Sequence, residues 1–318
     1  MSSLLKIDNL RKEYKEQNNK KVIKALNGVS FSLEYGKVLG IIGESGCGKS
    51  TLGKLLVSLE KPTDGYIEFQ GEKIKEIINK DQLGFRKKCQ MIFQNPFDTF
   101  DPRNTIKKIL LETLKIHNIG KTKEEQKKVC IDIMEQCGIS PAEDYLNRYP
   151  YELSGGQLQR ISVIRSMVLK PKLIIADEPV SMLDVSVRAD IINTLLKFTK
   201  ENKSSMIFIS HDIATTKYIS DEIAVMYLGK IVEIGETDKI INNPQHPYTK
   251  VLISNCGSID PLKKKKPIKI SGEPPKPVNL QKGCYFSSRC YKKSDKCSEE
   301  YPEMIKIEEN HYVSCFYL

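Results

Sequence analysis

The stretch that decides the fold is GESGCGKS at residues 43–50, which follows the apolar run VLGII at 38–42 and opens the helical run STLGKLLVSL at 50–59. It fits the phosphate-binding pattern G-x-x-x-x-G-K-[ST]. The glycines let the backbone curl so that its N–H groups and the N-terminus of the helix face a phosphate. In this arrangement Lys49 reaches the terminal phosphates and Ser50 binds Mg²⁺. The stretch therefore predicts a nucleotide-binding loop between a buried strand and a helix.

A second motif, KLIIADEP at residues 172–179, ends another apolar run with two adjacent carboxylates. A nucleoside triphosphatase needs a carboxylate near Mg²⁺ and a group that positions or activates water. We therefore assign Asp177 to the magnesium shell and Glu178 to the general base. Alone, the motif is typical of any buried strand that ends in a turn. Beside a phosphate-binding loop it predicts hydrolysis.

A third motif, LSGGQ at residues 153–157, precedes the amphipathic run QLQRISVIRSMVL. It predicts a second helix N-terminus that attracts an anion, because the dipole and the free N–H groups of a helix end favour negative charge. The motif lacks the Lys and Ser that would make a separate Mg-nucleotide site. An ordinary helix cap is the structural alternative for its Ser-Gly-Gly.

Composition bounds the class of protein without deciding it. The chain has 318 residues, with 50 Lys and Arg against 40 Asp and Glu and a net charge of +10. This excess suits nucleic acid or anionic lipid headgroups, and it is equally typical of a Lys-rich solvated surface. The N-terminus has no apolar signal segment, and no apolar run approaches the roughly 20 residues of a membrane helix. We expect a chain without a membrane span, whose cysteines stay reduced because reducing compartments keep thiols free.

The remaining pattern divides the chain into segments of different character. Strand-like residues at 4–42 and a hairpin near 62–74 predict an antiparallel β subdomain, and helical spacing at about 96–165 predicts a helical subdomain. Alternating strands and helices after that predict a parallel sheet covered on both faces. Beyond residue 235 lie a Pro-rich, linker-like stretch and a cysteine-rich tail. We expect domains at 1–235 and 236–318.

The three motifs, in this order, resemble the ATPases of the ATP-binding cassette (ABC) family, and the resemblance covers essentially the whole chain. In that family two cassettes face head to tail, so that the signature LSGGQ of one chain closes on the ATP held by the other. The resemblance implies ATP and Mg²⁺ as cofactors and an ABC-type transport ATPase as the activity. It places the signature on the partner's ATP through Ser154, Gly155, Gly156 and Gln157.

Four further residues take roles from their positions in the family pattern. Gln94 in QMIFQNP resembles the loop glutamine that contacts Mg²⁺ and water and senses the membrane subunit. Asp184 in SMLD resembles the dimer-contact aspartate, and His211 in FISHD resembles the switch histidine that contacts the terminal phosphate. Tyr14 is the candidate for stacking on adenine, with a packed surface aromatic as the equal alternative. The other implied ATP contacts are the loop residues Gly43, Ser45, Gly46, Cys47, Gly48, Lys49, Ser50 and Thr51.

Within the family, NPQHPYTKVLIS at 243–254, GEPPKP at 272–277 and the cysteine tail resemble the oligopeptide and dipeptide importer branch. FQNPFDTFDPRNTI and DEPVS resemble the second of its two paired ATPase subunits. This implies that the chain forms a heterodimer with a second ATPase and takes part in peptide uptake together with two membrane permease subunits and an extracellular substrate-binding protein. It also implies that the chain is peripheral at the cytoplasmic face of the membrane. The alternatives are an importer of nickel or another small solute and, more remotely, a nucleic-acid-linked ABC ATPase; we expect no nucleic-acid partner.

The tail holds four of the nine cysteines, with spacings C-x5-C, C-x6-C and C-x17-C; they are Cys284, Cys290, Cys297 and Cys315. Structural zinc sites usually pair thiols as C-x2-4-C, which is absent here, and iron–sulfur clusters also take four thiolates. Basic neighbours are expected to favour the thiolate form; they are Arg289, Lys292, Lys293 and Lys296. Tails of this importer branch resemble four-iron four-sulfur ligand sets, which implies such a cluster, with zinc next and packed reduced cysteines as the metal-free alternative.

The expected fold class is therefore α/β: a P-loop NTPase core of the RecA-like type with an antiparallel β subdomain, a helical subdomain and a small C-terminal metal-binding extension. The sequence leaves the transported solute open, because selectivity belongs to the permease and the binding protein.

Overall fold

The computed structural model describes residues 3–15, 22–255, 268–270, 272–278 and 280–318. The chain forms two compact units, one of residues 1–74 with 207–318 and one of residues 75–206. The expected division at residue 235, with a helical part at 96–165, remains a prediction. Much of the linker-like stretch lies outside the described residues.

Strands and helices alternate between residues 173 and 227, as the sequence pattern predicts for the part of the chain after the helical segment. The strands are β1 (Ser3–Lys15), β2 (Val22–Glu34), β3 (Val38–Ile42), β4 (Asp64–Phe69), β5 (Glu72–Lys73), β6 (Cys89–Ile92), β7 (Leu173–Asp177), β8 (Ser205–Ile209), β9 (Glu222–Tyr227), β10 (Lys230–Glu236), β11 (Ile305–Glu308) and β12 (His311–Val313). The α-helices are α1 (Lys49–Leu56), α2 (Ile74–Lys88, kinked at Asp81), α3 (Ile106–Ile116), α4 (Lys123–Gln136), α5 (Ala142–Leu146), α6 (Gly155–Met167), α7 (Val185–Asn202), α8 (Ile213–Ile219), α9 (Thr237–Asn242), α10 (Pro247–Asn255) and α11 (Lys296–Glu299). Short 3₁₀ turns cover Pro96–Thr99, Pro150–Glu152 and Ser287–Arg289.

The first unit contains the predicted antiparallel β part. Its strands pair in the order β2-β1-β4-β5, each antiparallel to its neighbour. In β1, Leu5 and Ile7 are buried while Lys6 between them is exposed. This period of two is what a strand shows when one face covers a core and the other meets solvent.

The same unit carries the strand that leads into the phosphate-binding motif. β3 pairs in parallel with β9, and all five of its residues are buried, as expected for a strand covered on both faces. β9 continues antiparallel to β10, which pairs with β12, and β12 pairs with β11. The last strands of the chain are thus hydrogen-bonded into the sheet that holds the phosphate-binding motif.

The second unit contains a parallel strand pair and most of the helices. β6 pairs in parallel with β7. On α3 the buried residues Ile106, Ile109, Leu110 and Leu114 recur at spacings of three and four, which is the amphipathic pattern read from the sequence. Thr105 and Thr122 cap α3 and α4 by accepting hydrogen bonds from their first turns. In the described part of the chain, no helix combines the length and apolar character needed to cross a membrane.

The expected metal-binding extension is not supported by the structure. Among the described residues, no group of three or more His, Cys, Asp or Glu side chains is arranged to hold a metal ion. Instead, Tyr285 and Phe286 of the tail join a buried core with Tyr227 and Tyr248. Aromatic side chains bury a large area each, so a few of them suffice for a small core.

A buried polar cluster also fixes the tail to the sheet. The Glu233 carboxylate on β10 accepts hydrogen bonds from the backbone N–H groups of Gln245, at 2.8 Å, and His246, at 2.9 Å. His311 on β12 places its Nε2 2.8 Å from the same carboxylate, and both side chains are fully buried. A buried charge needs such partners, and their geometry specifies how the tail docks.

Candidate active site

The phosphate-binding loop has the shape that its glycines predict. Gly48 precedes α1 with a φ of 104°, and a Cβ there would lie 2.4 Å from the backbone oxygen of Ala25. A Cβ on Gly43 would lie 2.3 Å from the backbone oxygen of Met226. Because backbone atoms cannot move aside as a side chain can, both positions require glycine.

Lys49 lies inside this loop. Its side chain is buried, and its Nζ donates hydrogen bonds to the backbone oxygens of Gly43, at 2.8 Å, and Glu44, at 3.0 Å. The ammonium is therefore already oriented by the loop. Ser45, Gly46 and Ser50 are exposed beside it.

Cys47 occupies the loop position that the family pattern leaves variable. The backbone N–H of Cys47 donates to Glu44, at 3.3 Å, and its carbonyl accepts from Gly229, at 2.9 Å. Its thiol is buried, and burial raises its pKa even though Lys49 lies close by. The thiol therefore stays neutral, and its expected contact with ATP is through the backbone.

In the second unit, β7 presents the two carboxylates in different environments. Asp177 is buried at the last position of the strand. Glu178 follows with a φ of 45°, a left-handed conformation that is uncommon outside glycine and concentrates at functional sites. The Nε2 of Gln94 donates to Glu178 Oε2 at 3.0 Å. The fold thus brings together two residues that the sequence predicted from separate motifs.

His211 and Tyr14 lie in the first unit. His211 is exposed two residues after the end of β8, and Asp212 caps α8 by accepting from the backbone of Ala214 at 2.9 Å. The half-buried Tyr14 donates its hydroxyl to Glu60 and also contacts Thr51. Burial and the hydrogen bond with Glu60 raise the pKa of Tyr14. The Nζ of Lys12 lies 4.9 Å from the centre of the Tyr14 ring. Tyr14 is therefore next to α1, while its adenine-stacking role remains a prediction.

The signature residues form a helix cap as well as a candidate anion site. Ser154 Oγ accepts from the backbone of Gln157 at 3.3 Å, and Gln157 Oε1 accepts from the backbone of Ser154 at 3.0 Å. A Cβ on Gly156 would lie 2.8 Å from Val187 Cγ1 on α7, whereas Gly155 has open space beside it. Gly156 is thus needed for packing, and the backbone at Gly155 is accessible.

Asp184 occupies the N-cap position of α7. Within the described chain its carboxylate makes no capping hydrogen bond, and the side chain is exposed. The simple capping alternative therefore does not explain this residue. Its dimer-contact role remains a prediction.

The structure adds residues that the sequence motifs missed. Tyr248 on α10 and Arg289 in the tail both contact Glu44 of the phosphate-binding loop. Tyr248 belongs to a stretch that the sequence marked only as typical of a family branch. Arg289 was interpreted only as a basic neighbour of thiols. A contact between residues more than 200 positions apart leaves no signal in a single sequence.

The four tail cysteines meet at one pocket, which His246 and Phe286 also line. Cys284 and Cys297 are buried, Cys290 and Cys315 are partly exposed, and all the described cysteines are free thiols. The expectation that basic neighbours favour thiolates is wrong. The pKa of Cys284 is raised to about 11, mainly by burial and to a smaller extent by the other three thiols.

The basic neighbours are engaged elsewhere. Arg289 pairs with Glu44, while Lys296 lies 4.5 Å from the ring centre of Phe316 and 3.3 Å from Glu300. Lys292 lowers the pKa of Cys290 and Cys315 only as a minor effect against burial. Cys284, Cys290 and Cys315 therefore stay protonated unless a positively charged group neutralises them.

Comparison with known proteins agrees with the motifs. The family model described as ABC transporter matches residues 26–181, and the model described as oligopeptide/dipeptide transporter, C-terminal region, matches residues 232–297. The putative oligopeptide transport ATP-binding protein YkfD of Bacillus subtilis (strain 168) is 41% identical over 98% of this chain and 94% of its own. The dipeptide transport ATP-binding protein DppF of Haemophilus influenzae is 44% identical over 93% of this chain and 90% of its own.

A solved structure shows the same fold. It is a dimeric ATP-binding cassette in a post-hydrolysis state with ADP and Pi, 26% identical, with a TM-score of 0.66 over 73% of this chain and 98% of that chain. The α/β cassette fold with its P-loop NTPase core, as expected from the sequence, is thereby confirmed. The chain belongs to the ABC transporter family as an ATP-hydrolysing subunit, and it carries the C-terminal region of the oligopeptide/dipeptide transporter branch.

Proposed function

We propose that this chain couples ATP hydrolysis to the uptake of oligopeptides or dipeptides. For hydrolysis, the observation that carries the proposal is the contact of Gln94 with Glu178 at the end of β7. For the solute, the support is the C-terminal region of the peptide transporter branch and the names of the two relatives. Those names favour peptides over nickel or nucleic acid as the target. ATP-dependent uptake of a radiolabelled dipeptide by proteoliposomes that hold the assembled importer tests it directly.

Binding of ATP is assigned to the first unit. The loop amides and the Lys49 ammonium bind the phosphates, because the loop already orients both. Tyr14 stacks on the adenine, and His211 contacts the terminal phosphate.

Ser50, Gln94 and Asp177 are assigned to hold Mg²⁺, and their oxygen atoms are the ligands that this hard cation prefers. The Gln94 amide fits this role, because its nitrogen bonds Glu178 and its oxygen is left for the ion. Bound Mg²⁺ supplies neutralisation of charge on the phosphates.

Hydrolysis is assigned to Glu178. Its carboxylate accepts a proton from the attacking water as the general base. The hydrogen bond from Gln94 and the left-handed backbone fix the direction of the carboxylate before substrate arrives. Such preorganisation lowers the barrier because the reacting group need not reorient.

Like the dimeric cassette that it resembles, the chain acts in a dimer and works with membrane permeases. The partner is assigned as a second, non-identical ATPase subunit, and the signature residues 154–157 of this chain close on the ATP that the partner holds. Asp184 contacts the partner from its exposed position before α7. The assembly includes two permease subunits and an external substrate-binding protein, with this chain peripheral at the cytoplasmic face of the membrane.

The permease contact is assigned to the turn after Gln94. Asn95 caps the 3₁₀ turn Pro96–Thr99, which leaves Phe97 51% exposed. An open pocket lies next to the turn, lined by Thr99, Phe100, Asp101, Asn104 and Arg165 among others. Arg165 keeps its walls in place by donating to the Thr99 carbonyl at 3.0 Å and lying 4.7 Å from the Phe100 ring centre. An exposed aromatic beside a pocket is typical of a protein contact surface.

Replacing Phe97 with Asp is expected to reduce dipeptide uptake by at least about tenfold, because a charge enters an apolar contact. ATP binding to the full-length chain should remain unchanged, since Phe97 lies outside the nucleotide motifs. Uptake into proteoliposomes and equilibrium ATP binding measure the two effects. Leu83→Asp is the matched control, because Leu83 is also an exposed apolar residue, 46% accessible, in the same unit. Equal uptake by the Phe97 and Leu83 variants would contradict the proposed permease contact.

The pocket of tail thiols is assigned to a four-iron four-sulfur cluster, with zinc as the alternative. The support is that Cys284, Cys290, Cys297 and Cys315 converge on one pocket and that their thiolates would repel one another without a cation. The cysteine spacings, which lack a C-x2-4-C pair, favour the cluster over zinc. Its role is structural, since it would bind the tail segments to one another.

Iron and sulfide should both be present in the full-length chain after anaerobic purification. Cys290→Ser is expected to lower the iron content by at least about tenfold, the range in which loss of a metal-site group affects affinity. Cys137→Ser, which changes a buried thiol in the other unit, should retain it. Iron, zinc and acid-labile sulfide are measured for each. A colourless protein that contains zinc, or no metal, would overturn the assignment.

A further inference from the structure

We propose that Arg289 of the cysteine tail is a positioning residue for the phosphate-binding loop, which it holds through Glu44. The inference rests on the assignment of residues 43–50 as the ATP loop. By this inference the tail helps to set the conformation of the nucleotide site.

The contact itself is a paired, largely buried ion pair. Arg289 Nη1 lies 2.7 Å from Glu44 Oε2, and Nη2 lies 3.0 Å from Oε1. The side chains are 7% and 25% exposed. A guanidinium that meets both carboxylate oxygens in this way fixes orientation as well as distance, which a lysine ammonium does not.

Arg289 is in turn fixed by the aromatic core of the tail. Its Nη1 lies 3.3 Å from the hydroxyl of Tyr227, and the ring of Tyr227 packs edge-on against Phe286, with centroids 5.3 Å apart. Its backbone N–H donates to the Phe286 carbonyl at 2.9 Å within the 3₁₀ turn Ser287–Arg289. The guanidinium is therefore held in position by the tail and by Tyr227 where it contacts the loop.

Glu44 is bound at every polar group it has. Besides the carboxylate, its backbone N–H donates to the hydroxyl of the fully buried Tyr248 at 2.8 Å. Its carbonyl accepts from Lys49 Nζ at 3.0 Å and from the Cys47 N–H at 3.3 Å. The first turn of the loop is thus set before ATP binds, which reduces the entropy lost on binding.

The charge of Glu44 gives Arg289 a second role. A carboxylate in a loop that binds a triphosphate repels the ligand unless a cation compensates it. Arg289 is the compensating cation, because its guanidinium is always charged and lies against both carboxylate oxygens. Loss of Arg289 should therefore weaken ATP binding more than loss of loop order alone would.

The test uses the full-length chain with Arg289→Gln, Glu44→Gln and both changes together. We expect Arg289→Gln to weaken equilibrium binding of MgATP by about tenfold, because it leaves the partly buried Glu44 carboxylate without its counter-charge. Removing the carboxylate as well should restore binding to within about threefold of Glu44→Gln alone, since the repulsion is gone. Arg289→Lys keeps the charge and should fall between the parent and Arg289→Gln. Lys293→Gln, an exposed change in the same tail, should bind as the parent does.

The measurements separate positioning from a purely structural role. If Arg289 only supported the tail, its loss would lower thermal stability and the folded fraction, would leave the affinity of the folded fraction unchanged, and would not be rescued by Glu44→Gln. That outcome overturns the inference. If Arg289→Gln does not fold, the MgATP affinities of Arg289→Lys and Lys293→Gln are compared instead. In the assembled importer the expected effect is a raised KM for ATP with kcat nearly unchanged. Normal ATP binding by Lys49→Ala would instead remove the loop assignment on which the inference rests.

Discussion

Replacing Glu178 with Gln stops ATP turnover, by at least about 100-fold, and leaves ATP binding intact. The amide has the size of the carboxylate but cannot accept the proton of the attacking water at neutral pH. The geometry around it should survive, because Gln94 still finds an oxygen acceptor at this position. The loss is therefore expected in kcat rather than in the affinity for ATP.

Steady-state hydrolysis by the assembled importer and equilibrium MgATP binding by the full-length chain measure the two quantities. Glu201→Gln is the control, because Glu201 is an exposed carboxylate near the end of α7 in the same unit. Hydrolysis by the Glu178 variant at the rate of the Glu201 variant would show that another group is the base.

Replacing Lys49 with Ala weakens MgATP binding by about 10- to 100-fold, the range expected when a charged hydrogen bond to phosphate is lost. The ammonium is the cation that the loop itself places among its backbone groups. Its removal also takes one hydrogen-bond donor from each of the carbonyls of Gly43 and Glu44, so the loop loses order as well as charge.

The control for this change is Lys54→Ala, which removes a partly exposed lysine from the same helix. Titration of the full-length chain with MgATP compares the two variants, and thermal unfolding confirms that both are folded. An affinity within about twofold of the parent for Lys49→Ala would argue against residues 43–50 as the ATP loop. Glu178→Gln is thus expected to lower the rate of turnover, whereas Lys49→Ala is expected to lower the affinity for MgATP.

The motifs that the sequence predicted share one property, which is that their constraints are local. Gly43 and Gly48 adopt positive φ angles within one loop, and the spacing between them is set by that loop. Asp177 and Glu178 are recognisable because a strand end places them next to each other. Ser154 is recognisable as the residue that begins α6. Patterns of this kind are readable because each residue lies within a few positions of what it must satisfy.

The tail was predicted less well because its physics is not local. Its buried core depends on Tyr227 and Tyr248, which come from earlier elements of the chain. Its lysines and Arg289 were expected to lower the pKa of the thiols, but burial has the larger effect and Arg289 pairs elsewhere. Desolvation depends on what packs around a group, which spacing along the chain does not report.

By itself the sequence determined the family, and it predicted the nucleotide loop, the magnesium and base carboxylates and the signature, because short-range backbone geometry and charge require those residues at those spacings. Only the tertiary structure decided that Gln94 touches Glu178, that four thiols share one pocket, and that Arg289 and Tyr248 hold Glu44. The Gln94–Glu178 contact joins residues 84 positions apart, and the Glu44–Arg289 contact joins residues 245 positions apart. They exist because the sheet and its aromatic core bring distant segments together, and burial then sets the strength of each charge and hydrogen bond.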